Sequence, residues 1–133
     1  MTQQAAPAAL FAGLLKGKKG LILGVANNRS IAWGIAKACA DAGAELALTY
    51  QIEALEKRVR PLAADIGATV VGRCDVAEPE TLDAVFAEVE KLWGKLDFVV
   101  HCLAYSDKDQ LDGRYVETTL ENFQMSLNIS CYS

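Results

Sequence analysis

Residues 21–38 read LILGVANNRSIAWGIAKA, and this stretch decides the fold. Leu21, Ile22, Leu23 and Val25 form the short apolar run of a buried strand, Gly24 interrupts it, and the polar residues Asn27, Asn28, Arg29 and Ser30 come next. From Ile31 onward apolar residues recur at helical spacing. The pattern predicts a strand, a tight turn and a helix.

Outward from this unit the same alternation repeats. Strand-like runs stand at GLILGV (20–25), AELALTY (44–50), ATVVGRCDV (68–76) and LDFVVHCLA (96–104). The first predicted helix, 30–42, carries Ile31, Ile35, Ala38, Cys39 and Ala42 on one side and ends at Gly43. The second, 53–66, stripes Leu55, Val59, Leu62 and Ile66, and Pro61 inside it predicts a kink or a split. The third, 79–93, opens on Pro79 and repeats Leu82, Val85, Phe86, Val89, Leu92 and Trp93 before Gly94. Polar residues 106–117 then lead to Thr118-Thr119-Leu120-Glu121, which reads as a capping box opening a fourth helix that runs to Ser133.

Strands alternating with helices at this spacing build right-handed βαβ units and a parallel sheet covered on both faces. The unbroken hydrophobicity of LILGV and FVV predicts strands buried on both sides. The expected architecture is α/β, a Rossmann-type doubly wound parallel sheet of strand order 3-2-1-4, incomplete at its C-terminal side. Residues 1–10 are expected to be a flexible tail, and 11–133 the N-terminal dinucleotide-binding part of a single domain. An isolated 1–133 chain is expected to expose apolar surface and an unpaired edge at strand four.

Composition narrows the partners. The 133 residues, 52% hydrophobic and 23% charged, supply one domain's core. A net charge of -4 and a pI near 5.0 give no electrostatic reason to expect nucleic acid or an anionic membrane. The apolar run AAPAALFAGLL precedes Lys16, Lys18 and Lys19, the reverse of signal-peptide polarity. The four cysteines form no C-x-x-C pair and His101 is the single histidine, so neither a metal site nor a disulfide framework is expected. Reduced thiols of a cytoplasmic protein, mostly buried as small hydrophobes, fit this pattern.

In a doubly wound sheet, ligands bind beyond the carboxyl ends of the strands, where the strand order reverses. A dinucleotide-binding turn usually has three close glycines; here Gly24 provides the turn, and Ser30 with the open N–H groups of the helix start can face a pyrophosphate. Ala32 and Gly34 are small enough for the helix to lie near the sheet. Gln51, at the end of strand two, can bond both ribose hydroxyls and neither repels nor attracts a 2'-phosphate strongly, whereas Arg29 is a cation able to reach one. Asp75 at the end of strand three can accept an adenine amino group beneath Val76, or serve as a turn residue ahead of Pro79. His101 reads as a hydrogen-bonded core residue, Asp97 as a turn residue, and Asp107-Lys108-Asp109 as a solvated loop.

Together Gly24-x5-Ser30-x-Ala32-x-Gly34, Thr49-Tyr50-Gln51, Cys74-Asp75-Val76 and FVVHCLAYSDKDQLDG (98–113) resemble the FabI-type enoyl-acyl-carrier-protein reductases, a divergent branch of the short-chain dehydrogenase/reductases. The resemblance spans residues 11–133. It implies hydride transfer from NADH, rather than NADPH, to the trans-2 double bond of an enoyl thioester on acyl carrier protein during fatty-acid elongation, by a cytoplasmic homotetramer. It further implies that Gly24, Ser30, Ile31, Gln51, Asp75, Val76 and Leu103 contact the dinucleotide and that Ser106 lies beside the substrate. Where the family commonly has Ser/Ala-Ile-Gly-Phe, this chain has Cys102-Leu103-Ala104-Tyr105, which puts the Ala104 methyl near the nicotinamide ribose. The acid–base tyrosine and the ribose-binding lysine of the family are expected beyond Ser133, so no catalytic residue is assigned here and residues 1–133 alone are not expected to catalyse. A carbonyl-reducing short-chain enzyme and a non-catalytic nucleotide-binding module remain alternatives. Asn128 reads as a polar helix residue in preference to a support for a relay water.

Overall fold

The computed structural model describes residues 11–133, so the tail expected at 1–10 lies outside the described residues. Strands β1 (Lys19–Leu23), β2 (Glu45–Tyr50), β3 (Thr69–Arg73) and β4 (Phe98–His101) form one parallel sheet of order β3-β2-β1-β4, as the alternation predicts. Helices α1 (Ile31–Asp41), α2 (Glu53–Asp65) and α3 (Pro79–Trp93) make the crossovers, and α4 (Leu120–Leu127) continues into a π-helical turn, Asn128–Tyr132.

Alternation along the strands sends side chains into two cores. Ile22, Leu46, Leu48 and Tyr50 pack with α1 and α2 on one face. Leu21, Leu23 and Ala47 pack with Val85 and Val89 of α3 on the other. The start of the sheet is tied by Asp97: its Oδ2 accepts the Lys19 N–H at 2.8 Å while its own N–H donates to the Lys19 carbonyl at 2.8 Å. Asp97 is thus the expected lead-in residue and also a clasp between β1 and β4.

Several local expectations change. The buried side of α1 is Ala32, Trp33 and Ala36, whereas Ile31 is 76% exposed and Ala38 is exposed as well. Two alanines let the helix axis approach the sheet, and Ile31 is left at the helix's open N-terminal end. The second helix is not split: α2 runs continuously through Pro61, which is exposed and has no N–H to offer the Lys57 carbonyl. On α3, Phe86 and Leu92 are exposed because only the Val85–Val89 line faces the sheet. The strand FVV is not covered on both sides: β4 is the sheet edge, and Val99 is 44% exposed.

β3 is shorter than 68–76 and carries a bulge within it. Leu48 pairs with Val70 but Thr49 pairs with Gly72, so Val71 is the extra residue, and Gly72 adopts φ +131°. The fourth helix is capped by Thr119, whose Oγ1 accepts the Asn122 N–H at 3.3 Å. The residue three positions after this cap is Asn122, so the expected Thr118–Glu121 box does not form.

Candidate nucleotide site

The carboxyl ends of all four strands open toward the same side of the sheet, each leading into a loop. After β1, Gly24 adopts φ +102° and its Cα lies against the Cys102 carbonyl that comes after β4. The reversal point of the strand order is therefore built from two backbones in contact, which only a residue without Cβ permits.

Ser30 occupies the N-cap of α1, but its hydroxyl does not cap. It donates to the Asn27 carbonyl at 2.6 Å and accepts the Ala26 N–H at 3.4 Å, while Asn27 Oδ1 accepts the Arg29 N–H at 2.7 Å. These bonds close the loop on itself. The loop's closure leaves the backbone N–H groups of Ile31 and Ala32 without an acceptor among the described residues. Those groups, at the positive end of the α1 dipole, can hold an anion.

Gln51 stands just after β2, and its Nε2 donates to Asp75 Oδ2 across a long 3.4 Å bond. Asp75 Oδ1 accepts the Ala77 N–H at 3.0 Å, and the Asp75 N–H donates to Thr81 Oγ1 at 2.9 Å. One Asp75 oxygen thus serves the turn, as one of the two readings expects, and the other faces Gln51. A cavity of about 240 Å³ is lined by Gln51, Asp75, Val76, Leu103, Ala104 and Tyr105. It shares Gln51, Cys74, Leu103 and Ala104 with a second cavity of about 160 Å³ that reaches Gly24 and Val25. The two form one cleft across the strand ends, where the strand-order rule places a ligand.

The structure thus brings Gly24, Gln51, Asp75, Val76 and Leu103 to one cleft. Ser30 and Ile31 line neither cavity. Ser106 also lines neither; it is drawn toward α4, receiving hydrogen bonds from Asn122 Nδ2 at 3.2 Å and Ser126 Oγ at 3.0 Å. Asn122, buried to 7% exposure, uses its Oδ1 to accept the Asp107 N–H at 3.0 Å.

His101 is exposed rather than a core residue, with Nε2 2.9 Å from Ser133 Oγ, and among the described residues no strand pairs with the outer side of β4. All four cysteines are free. Cys74 is buried, and burial pushes its thiol up, as it does for Cys39; Cys131, by contrast, is exposed. Asp107, Lys108 and Asp109 are exposed as expected, and so is Asn128. Among the described residues no cluster of metal-ligating side chains occurs, and no helix is long and apolar enough to cross a membrane.

Sequence reasoning missed Arg73 and Glu78. The Arg73 Nε donates to the Gln51 carbonyl at 3.0 Å, and its two Nη groups donate to Glu78 Oε1 and Oε2, each at 2.7 Å. The hydrogen bond to Glu78 holds the guanidinium above its ordinary pKa and the Glu78 carboxyl below its own. The signal that could have found them is Gly72, an isolated glycine within a strand pattern, which marks a bulge that redirects Arg73 and the rest of the strand end.

A family model described as Enoyl-(Acyl carrier protein) reductase matches residues 24–133. The chain is 61% identical over 121 residues to the enoyl-acyl-carrier-protein reductase (NADH) 1 of Rhizobium meliloti, a match covering 91% of this chain and 44% of the relative. It is 54% identical, with a TM-score of 0.86, to the crystal structure of the Anaplasma phagocytophilum reductase in complex with NAD, covering 91% of this chain and 46% of that one. A Bacillus cereus enoyl-acyl-carrier-protein reductase solved with NADP+ and indole naphthyridinone is 42% identical, with a TM-score of 0.83, covering 90% of this chain and 47% of that one. The chain spans a little under half the length of the relatives it matches. With a family model matched over residues 24–133 and a shared fold, the chain belongs to the enoyl-acyl-carrier-protein reductase family.

Proposed function

We propose that residues 11–133 form the dinucleotide-binding part of an NADH-dependent enoyl-acyl-carrier-protein reductase. The observation that carries the reading is the meeting of Gly24, Gln51, Asp75, Val76 and Leu103 at one cleft beside the open N–H groups of α1. The donor set fits a dinucleotide. The Ile31 and Ala32 N–H groups, held in place by the Ser30–Asn27 closure, take the pyrophosphate. Gln51 bonds the adenosine ribose, Asp75 accepts from the adenine amino group, and Val76 covers the ring. Leu103 and Ala104 bound the cleft toward the nicotinamide.

When bound, NADH supplies a hydride from the nicotinamide to the β-carbon of an enoyl thioester on acyl carrier protein. The chain's own residues orient the dinucleotide and, through Leu103 and Ala104, exclude water from one side of the cleft; Ser106 flanks the acyl group. No residue here takes the acid–base role, and the tyrosine and lysine implied by the family resemblance are assigned to sequence beyond Ser133. NADH is favoured over NADPH because Gln51 carries no charge and Asp75, which accepts from its amide, is acidic. The complete protein is read as a cytoplasmic homotetramer; exposed Leu120, Phe123 and Leu127 along α4 support burial of that helix against further protein.

The test is the complete product of the reading frame, assayed with a trans-2-enoyl thioester, a 3-oxoacyl thioester, and each dinucleotide in turn. NADH oxidation with the enoyl substrate is expected. Oxidation of neither dinucleotide, or only with the oxo substrate, overturns the reading.

A further inference from the structure

The cation placed nearest to Gln51 by hydrogen bonding is Arg73, one strand further out. Its Nε is bonded to the Gln51 carbonyl, so the guanidinium is tethered beside the residue assigned to the adenosine ribose. An arginine at that place ordinarily receives a 2'-phosphate. Here its fork is already occupied: Glu78 takes one bond from each Nη in a bidentate pair at 2.7 Å. Asp75 and Glu53 add further negative charge around the same guanidinium. A 2'-phosphate would meet a neutralised arginine among three carboxylates.

We infer that Glu78 sets cofactor selectivity by sequestering Arg73, so that the pair disfavours a 2'-phosphorylated dinucleotide without touching the cofactor. The inference rests on the proposed nucleotide site and adds to it a residue that acts through another. Glu78 is suited to the role because its backbone, not its side chain, serves α3: the carbonyl accepts from Thr81 and the N–H donates to the Asp75 carbonyl. Replacing the carboxylate therefore releases Arg73 while the turn keeps its bonds. The Nε–Gln51 bond keeps the released guanidinium within reach of the ribose.

The experiment measures dissociation constants of NADH and NADPH for the complete protein, with ADP-ribose and 2'-phospho-ADP-ribose as probes of the 2'-phosphate alone. Glu78→Gln, and separately Glu78→Ala, are expected to improve binding of the 2'-phosphorylated member of each pair relative to its partner by about tenfold. Arg73→Gln is expected to give no such gain, and adding it to Glu78→Gln returns the ratio to that of the parent. A purely structural role for Glu78 would weaken both members alike and leave the ratio fixed, which overturns the inference. A gain that persists in the double variant also overturns it, since the phosphate would then be held by another cation such as Arg29. A parent protein that binds neither dinucleotide is a different failure: it removes the nucleotide-site reading itself.

Discussion

The Cα of Gly24 abuts the backbone carbonyl of Cys102 so closely that a Cβ at residue 24 would overlap its oxygen, and Gly24 holds φ at +102°. The exits of β1 and β4 are thereby locked together at the reversal point of the sheet. Gly24→Ala combines a left-handed backbone penalty with an overlap against backbone that has little room to move. The expected cost is about 3 kcal/mol or more, read as a lowered midpoint in chemical denaturation of the complete protein. An unchanged midpoint would show that the two loops separate easily.

Gly72 isolates the backbone component of the same penalty. It holds φ +131°, yet a Cβ there would meet nothing within 4 Å. Gly72→Ala is therefore expected to cost about 1–3 kcal/mol from conformation alone, less than Gly24→Ala. Because the bulge aims Arg73 at the Gln51 carbonyl, the variant should also weaken NADH binding in proportion as the bulge is lost. Equal destabilisation by the two glycine variants would contradict this separation of strain from overlap.

The sheet order was legible because hydrophobic runs of strand length, each closed by glycine or a polar turn, leave few ways to connect four strands. The strand-end cleft was implied by that order. What was hidden depended on distances between elements. The α1 pattern contains alanines that both tolerate exposure and permit close packing, so Ala38 and Ala36 look alike in sequence, although only Ala36 is buried. Val99 sits in an unbroken apolar run that reads as buried on both sides, although the order 3-2-1-4 already made strand four the open edge; its 44% exposure agrees with the order and not with the run. Ser30 is a fitting cap by type, but its hydroxyl is turned back into the loop, donating to the Asn27 carbonyl at 2.6 Å and accepting the Ala26 N–H in place of a helix N–H. The Arg73–Glu78 pair could not be read from spacing alone, since it depends on a bulge that rotates the end of β3.

Asn122 joins α4 to the loop after β4. Its amide accepts the Asp107 N–H and donates to Ser106, and it is one of the few buried polar side chains among the described residues. Asn122→Ala leaves the Asp107 N–H without its acceptor, at an expected cost of about 1–3 kcal/mol. Amide exchange at Asp107 should accelerate more than exchange in β1. If Ser106 flanks the substrate, KM for the enoyl thioester rises more than KM for NADH. Unchanged Asp107 exchange would mean that the loop is held by other contacts.

Asp97 predicts an acid limit to stability. Its carboxylate accepts the Lys19 N–H, and that bond, with smaller help from Lys95, Lys18 and Lys19, holds its pKa below the ordinary aspartate value. A group depressed in the folded state stabilises above its unfolded pKa, about 3.9, and that stabilisation disappears as pH falls through the lower folded value. The contribution is therefore fully present at neutral pH and fades below about pH 4. Asp97→Asn should lower the denaturation midpoint at neutral pH and reduce the steepness of the acid limb. Asp97→Ala should lower the midpoint further, because an asparagine carbonyl still accepts from Lys19 and a methyl group cannot. The ion pairs to Lys18 and Lys95, both at 3.8 Å with largely exposed lysines, should add little, so moderate salt should leave the difference between the variants nearly intact. Parallel pH curves for the parent and both variants would assign the β1–β4 clasp to the backbone bond between Asp97 and Lys19 alone.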